Sequence, residues 1–214
     1  AGAGSSYPSI AAALAAARNG DTVEVLAGEY PEHVFLKSGV TLRSRVAREA
    51  RLIASPGNNT AVTASGVQHG RFEGFLIAAD VQNPLEVGIL IVDSSVIVTN
   101  NDIEGAATGV RITGPRAPEL TANAIHDCAL AGVSMEGLVA PWLFHNSFQR
   151  DKTAIVVQGD ARPVLTGNVF EKAPFALPAG VPFAPVREHN FLLDLRAPSR
   201  GAPTVTPNRK GKEQ

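Results

Sequence analysis

Apolar and polar positions in the second half of the chain alternate in short runs, and the runs return at a nearly fixed interval. Segments 99–103, 121–125, 144–148 and 166–170 read TNNDI, TANAI, FHNSF and TGNVF, and 188–192 (EHNFL) carries the same Asn-x-apolar core. The asparagines Asn101, Asn123, Asn146, Asn168 and Asn190 are separated by 22, 23, 22 and 22 residues. A second element, TGV (108–110), AGV (131–133), TAI (153–155) and FAL (175–177), keeps step with them. Alternation around Asn101 turns Asn101 and Ile103 inward and Asp102 and Glu104 outward; farther on, Val110 and Ile112 point in and Arg111 out. The units contain no long stretch of helical periodicity. Their short runs of Val, Ile, Phe and Thr between Gly, Asn, Asp and Pro predict strands and turns. A repeat of about 22 residues with two or three short strands is one turn of a parallel β-helix, in which successive turns stack at about 4.8 Å. Leucine-rich repeats lack a match for their L-x-x-L-x-L spacing here, and propeller blades need about twice this period.

A fixed asparagine in each turn has a physical role. Its amide can accept from one neighbouring turn and donate to the next, forming a ladder along the axis, and asparagine tolerates the left-handed backbone of a sharp corner. Upstream, residues 9–18 (SIAAALAAAR) predict a short helix with Ser9 as N-cap, Asn19-Gly20 as its stop, and Ile10, Leu14 and Ala17 on one face, placed to close the apolar end of the solenoid. Strands are expected at 23–26, 34–36, 40–43, 52–53 and 61–63. In FEGFLI (72–77), Phe75 is expected to align with Ile103 and Ile125. Residues 78–85 and 175–185 read as loops. The expected organisation is a linker at 1–6, a β-helix domain over 7–196 (cap helix 9–18, Asn-ladder turns 96–192), and an extended or disordered tail at 197–214, rich in Pro, Arg and Lys.

The opening segment SIAAALAAARNGDTVEVLAGEYPEHVFLKSGVTLRS resembles the cap helix and first turn of the pectin-lyase-like superfamily. The resemblance is carried by the Ala-rich helix, Gly20-Asp21-Thr22-Val23 leading into a strand, Gly28-x-Tyr30, and Gly39-Val40-Thr41-Leu42. Its nearest likeness is to the NosD-like and sugar-hydrolase-associated repeat members. The resemblance implies an all-β, right-handed parallel β-helix with an N-terminal capping helix, and an extracellular or periplasmic setting. It leaves activity open, because the superfamily holds lyases, hydrolases, esterases, epimerases and non-catalytic binding domains.

Composition narrows the partners. The 214 residues include 20 Gly and 15 Pro, suiting a turn-dense β architecture, and the formal net charge of −1 gives no basic surface for nucleic acid. Cys128 is the only cysteine, so no internal disulfide forms; it is expected as a small buried residue at a turn facing Asp151. No apolar run reaches membrane-spanning length. The first residue is Ala1 rather than Met, as in a processed chain or a piece of a longer protein.

Counting from each ladder asparagine turns the period into columns. The position one beyond holds Asp102, Ala124, Ser147, Val169 and Phe191. Three beyond stand Glu104, His126, Gln149, Glu171 and Leu193; four beyond stand Gly105, Asp127, Arg150, Lys172 and Asp194, with Asp151 next to Arg150. This polar outward strip, about 15 Å long over three rises, has the reach of three sugar units. His126, Asp127, Arg150 and Lys172 are the candidate catalytic residues for a uronate polymer, which needs a cation, a base and a general acid. Glu104, Gln149, Asp151, Glu171 and Trp142 are candidate ligand contacts, Trp142 as a stacking platform, while Phe144 is expected in the core. The calcium-binding aspartate cluster of the pectate lyases, the three aspartates of polygalacturonases and the tyrosine-glycine-aspartate-histidine signature of alginate epimerases have no counterparts, and neither a metal nor another cofactor is expected. Two functions therefore compete: a non-catalytic module binding a polysaccharide or protein ligand, as the sensing part of a longer protein, and a polysaccharide lyase, hydrolase or epimerase. The sequence leaves the oligomeric state open.

Overall fold

Each turn of the chain runs through three short strands, one in each of three parallel sheets, in a computed structural model that describes residues 6–53, 57–79, 84–176 and 189–193. Among the described residues the first sheet has seven strands, from Thr22–Val25 to Val164–Thr166. The second has eight, from Gly28–Tyr30 to Phe191–Leu193, and the third seven, from Val34–Phe35 to Phe175–Ala176. The predicted all-β parallel solenoid is therefore the fold observed. Register follows the sequence columns: Asp102, Ile103 and Glu104 pair with Ala124, Ile125 and His126, and these with Ser147, Phe148 and Gln149.

The core is a stack of inward columns. The second sheet contributes Ile77, Ile103, Ile125, Phe148 and Phe170; the first contributes Phe72, Val98, Leu120 and Leu143; the third contributes Val62, Ile89, Val110, Val133 and Ile155, all fully buried. Phe148 and Phe170 stack with centroids 4.8 Å apart, so neighbouring turns bury their rings against one another. The glycine of the second repeat element has a steric cause: a Cβ on Gly109 would lie 2.6 Å from the Gly132 carbonyl oxygen, and one on Gly132 would lie 2.8 Å from that of Ala154. The corner between the second and third sheets is too tight there for a side chain.

The corner between the first and second sheets carries the asparagines. Asn101, Asn123, Asn146 and Asn168 are all at most 2 % exposed. The Nδ2 of Asn123 donates to Asn146 Oδ1 at 2.9 Å and to the Val98 carbonyl at 2.9 Å, and Asn146 repeats this toward Asn168 and Leu120. From Asn123 onward each Oδ1 also accepts the backbone N–H of the asparagine one turn before, as Asn146 Oδ1 does from Asn123. The left-handed residue is not the asparagine itself but the one preceding it, with φ of 55° at Asn100 and Ala122 and 54° at His145. Phe75 also departs from its expected place. Its N–H donates to Asn101 Oδ1, so it opens the asparagine column, and the partner of Ile103 is Ile77.

The helix runs Ile10–Ala16, with the Ser9 hydroxyl accepting from the Ala12 N–H and Ile10, Leu14 and Ala17 buried as expected. It ends before Asn19-Gly20, because Ala17 is already extended and the Lys37 ammonium takes the carbonyls of Leu14, Ala15 and Ala17. At the other end the Glu32 carboxylate accepts from the Ile10 and Ala11 N–H groups. The first turn of the solenoid thus holds both ends of its cap, each with the charge the helix dipole favours. The expected linker over 1–6 (apart from Ser6), the tail over 197–214, and residues 80–83 and 177–185 of the two expected loops lie outside the described residues, while Ala78 ends the strand Leu76–Ala78 and Phe175–Ala176 is itself a strand.

Candidate functional site

Three-residue strands give the second sheet a narrow outer face, and the residue after each strand adopts a left-handed backbone. Gly105, Asp127, Arg150 and Lys172 have φ of 71°, 57°, 55° and 52°. That conformation carries the side chains of Asp127 and Arg150 outward on consecutive turns beside His126.

A continuous line of charges results. His126 Nε2 lies 2.9 Å from Asp102 Oδ1 on the preceding turn, and its Nδ1 lies 2.7 Å from Asp127 Oδ2. Arg150, on the following turn, grips Asp127 with two parallel bonds, Nε to Oδ1 at 2.8 Å and Nη2 to Oδ2 at 2.6 Å. Arg48 reaches Asp102 from an earlier turn at 3.8 Å. These contacts set the protonation states. The Arg150 bonds, outweighing the effect of burial and helped by His126, hold Asp127 down at about 2. Burial works to lower His126, but the bonds and charges of Asp127 and Asp102 outweigh it and raise its pKa above the ordinary 6.5.

The structure therefore brings together His126, Asp127 and Arg150, and adds Asp102 and Arg48. Glu104 and Gln149 flank His126 in register, and Glu171 follows Gln149. Lys172 continues the column; its backbone N–H donates to the Leu193 carbonyl, and among the described residues its ammonium makes no hydrogen bond or ion pair. Asp194 lies outside the described residues. Nothing in the sequence around Arg48 marked it, since it sits in an irregular turn that no repeat places.

Two expected positions are corrected, those of Asp151 and Phe144. Asp151 is not on the outward strip: it is 2 % exposed and turned into the corner, where its Oδ1 accepts the Cys128 N–H at 2.9 Å. Burial there raises it to about 6 against the pull of Cys128, and burial raises the Cys128 thiol too, which keeps it an inert thiol facing Asp151 as expected. Trp142 is exposed, at 51 %, but it belongs to the first sheet, around the asparagine corner from the strip. Phe144 is not core; it points outward beside Trp142, their rings edge to face at 5.8 Å, while Leu143 between them is buried.

Among the described residues no group of three or more His, Cys, Asp or Glu side chains is placed to hold a metal ion. No helix among them is long and apolar enough to cross a membrane. Neither a curated protein nor a solved structure matches the chain. The family described as "Right handed beta helix region" does match, over residues 65–178, just over half of the 214 residues. The matched span takes in the second-sheet strands that follow Asn101, Asn123, Asn146 and Asn168 and the whole run from Asp102 to Lys172. With three parallel sheets wound one turn per repeat, the chain belongs to the right-handed β-helix family.

Proposed function

We propose that this chain is a non-catalytic β-helix module that binds an extended polar ligand, carbohydrate foremost, along the outward strip of the second sheet, as the binding part of a longer protein. The observation that supports this reading is the mutual saturation of the strip's charged groups. A general base needs an available lone pair, and a general acid needs a proton it can release near neutral pH. Asp127, bonded by both Arg150 and His126 and held at about 2, is a poor base. Both ring nitrogens of His126 are engaged by carboxylates.

What these pairs leave available suits recognition. Arg150 is half exposed, and Lys172, Gln149, Glu171 and Glu104 supply donors and acceptors on successive turns about 4.8 Å apart. An extended saccharide presents hydroxyls and carboxylates at comparable intervals and needs few changes of its own shape to meet them. Trp142 and Asp151 are no part of this contact set.

The competing reading is a polysaccharide lyase, hydrolase or epimerase acting through Glu104, His126, Asp127, Arg150 and Lys172. Uronate and neutral polysaccharides, each tested by calorimetry and by assay of released products, separate the two. Saturable binding without product, weakened in Arg150→Ala, is the expected result. Turnover that Arg150→Ala or Asp127→Ala abolishes would establish the enzyme instead. Absence of binding to both polysaccharide classes would remove carbohydrate and leave a protein ligand.

A further inference from the structure

Both ring nitrogens of His126 face carboxylate oxygens, Nε2 on Asp102 and Nδ1 on Asp127, at 2.9 and 2.7 Å. An ionised carboxylate only accepts hydrogen bonds, whereas a neutral imidazole has one N–H and one lone pair. Neutral His126 would set a lone pair against one of the two carboxylates. The imidazolium donates to both. Because Asp102 lies one turn back and Arg150 carries the line from Asp127 one turn forward, the protonated ring is the middle member of a connection over three turns.

Directly inside the same corner is a second proton-dependent group. Asp151 follows Arg150, is 2 % exposed, and bonds the Cys128 N–H with one oxygen. Its other oxygen, Oδ2, has no hydrogen-bond partner and lies 2.9 Å from where a Cβ on Gly132 would stand. An ionised carboxylate with a buried, unpartnered oxygen is costly, and protonation removes the charge.

We infer that His126 and Asp151 form a proton-operated staple across the corner between the second and third sheets, which tightens the turns of Asp102, His126 and Arg150 when both groups are protonated and loosens them when the protons leave. The staple stands on the protein's own geometry and needs no ligand. Joined to the binding reading above, it regulates the same strip, making it best ordered in a mildly acidic medium.

The charged surroundings agree. His126 is faced by Asp102 and Glu104 from the turn before, with Arg48 behind Asp102, by Asp127 on its own turn, and by Gln149 and Arg150 from the turn after. Asp151 feels Cys128, His126 and Asp127 from the turn before, with Arg150 and Lys152 adjacent in sequence. Burial lowers His126, but the two carboxylates raise it overall above 6.5; burial raises Asp151 from 3.8 to about 6. Both folded values exceed the unfolded ones, so each contribution is complete below the unfolded pKa and is lost as pH rises through the folded one. Asp127 has the opposite sign: its contribution is present above 3.8 and is lost only as pH falls through about 2. Stability is therefore greatest on the acid side of neutrality.

The test is a set of thermal melts from about pH 5 to about pH 8 on the intact chain, with a titration of its ring-15N-labelled histidines by NMR; neither uses a ligand, so failure here is distinct from failure of the binding proposal. The midpoint is expected to fall as pH rises. His126→Gln should flatten the upper part of that slope, Asp151→Asn the lower part, and the double variant both. The His126 ring should be mostly doubly protonated at pH 6.5, with a titration midpoint above that of an ordinary histidine. A neutral His126 ring at pH 6.5, a wild-type midpoint that is level or rises across the range, or a double variant with the wild-type slope would each overturn the inference. Should His126→Gln not fold, the NMR titration of the unaltered chain decides alone.

Discussion

The two corners of each turn that flank the second sheet solve one problem with different chemistry. At both, a buried backbone N–H faces the next turn and needs an acceptor, since an orphaned donor costs about 1–3 kcal/mol. At the first corner a carboxamide supplies it, turn after turn, from Asn101 to Asn190. At the second corner the equivalent inward column reads Ala106, Cys128, Asp151 and Ala173, and only Asp151 reaches back, to the Cys128 N–H. An amide both donates and accepts, so each rung completes its neighbours and the column propagates. A carboxylate only accepts, so its column stops after one rung with an oxygen unpaired. Propagation needs a group that is complementary to itself.

Substitution can exchange the two chemistries. The largest effect is expected from Asn146→Asp near pH 8, which keeps the size and the acceptor but sets oxygen against Asn168 Oδ1 and the Leu120 carbonyl, the present acceptors of Asn146 Nδ2. A loss of about 3–5 kcal/mol in urea unfolding is expected from an uncompensated buried charge, and much of it should return on acidification as the new carboxyl takes a proton. Asn146→Leu comes next, at roughly 2–4 kcal/mol by the same measurement, with no pH dependence of its own: it orphans the Asn123 N–H and removes three further bonds. Gly132→Ala follows, at about 1–3 kcal/mol, because its Cβ would press on the Ala154 carbonyl, Asp151 Oδ2 and the Phe148 ring at 2.8, 2.9 and 3.0 Å. The smallest effect is a gain. Asp151→Asn should raise the midpoint by a few degrees near pH 8 and leave it almost unchanged near pH 4, where the native acid is already neutral. A loss of stability in that variant at pH 8 would break the comparison.

The repeat made most of this architecture legible, and the departures share a cause. A spacing of 22 or 23 residues puts Asp102, Ile103 and Glu104 over Ala124, Ile125 and His126 without further information. Simple alternation fails wherever a left-handed residue intervenes, because that residue turns the chain and resets which side is in. His145 does this between Phe144 and Asn146, so Leu143 rather than Phe144 is buried. Arg150 does it between Gln149 and Asp151, which sends Asp151 inside. In the turn before Asn101, a phenylalanine stands where the later turns have asparagine, and its ring stacks on Phe72 at 4.6 Å. The signal for that alignment was Gly74-Phe75, matching Gly167-Asn168, with φ of 78° and 67° at the two glycines. Arg48 is of another kind. Its contact with Asp102 joins residues more than two turns apart, and no periodicity encodes the reach of one long side chain.

The clamps on the N-terminal helix bear on the order in which the molecule assembles. Seven residues are too few for a helix to persist alone in water, since nucleation is unfavourable and the gain per added residue is small. Both groups that hold this one, Glu32 and Lys37, arrive only with the residues around the first strand of the third sheet, Val34–Phe35. The helix therefore cannot serve as the template on which the coil winds. It closes over a first turn that is already in place, and it is expected to be the earliest element to open when the solenoid is heated from its N-terminal end.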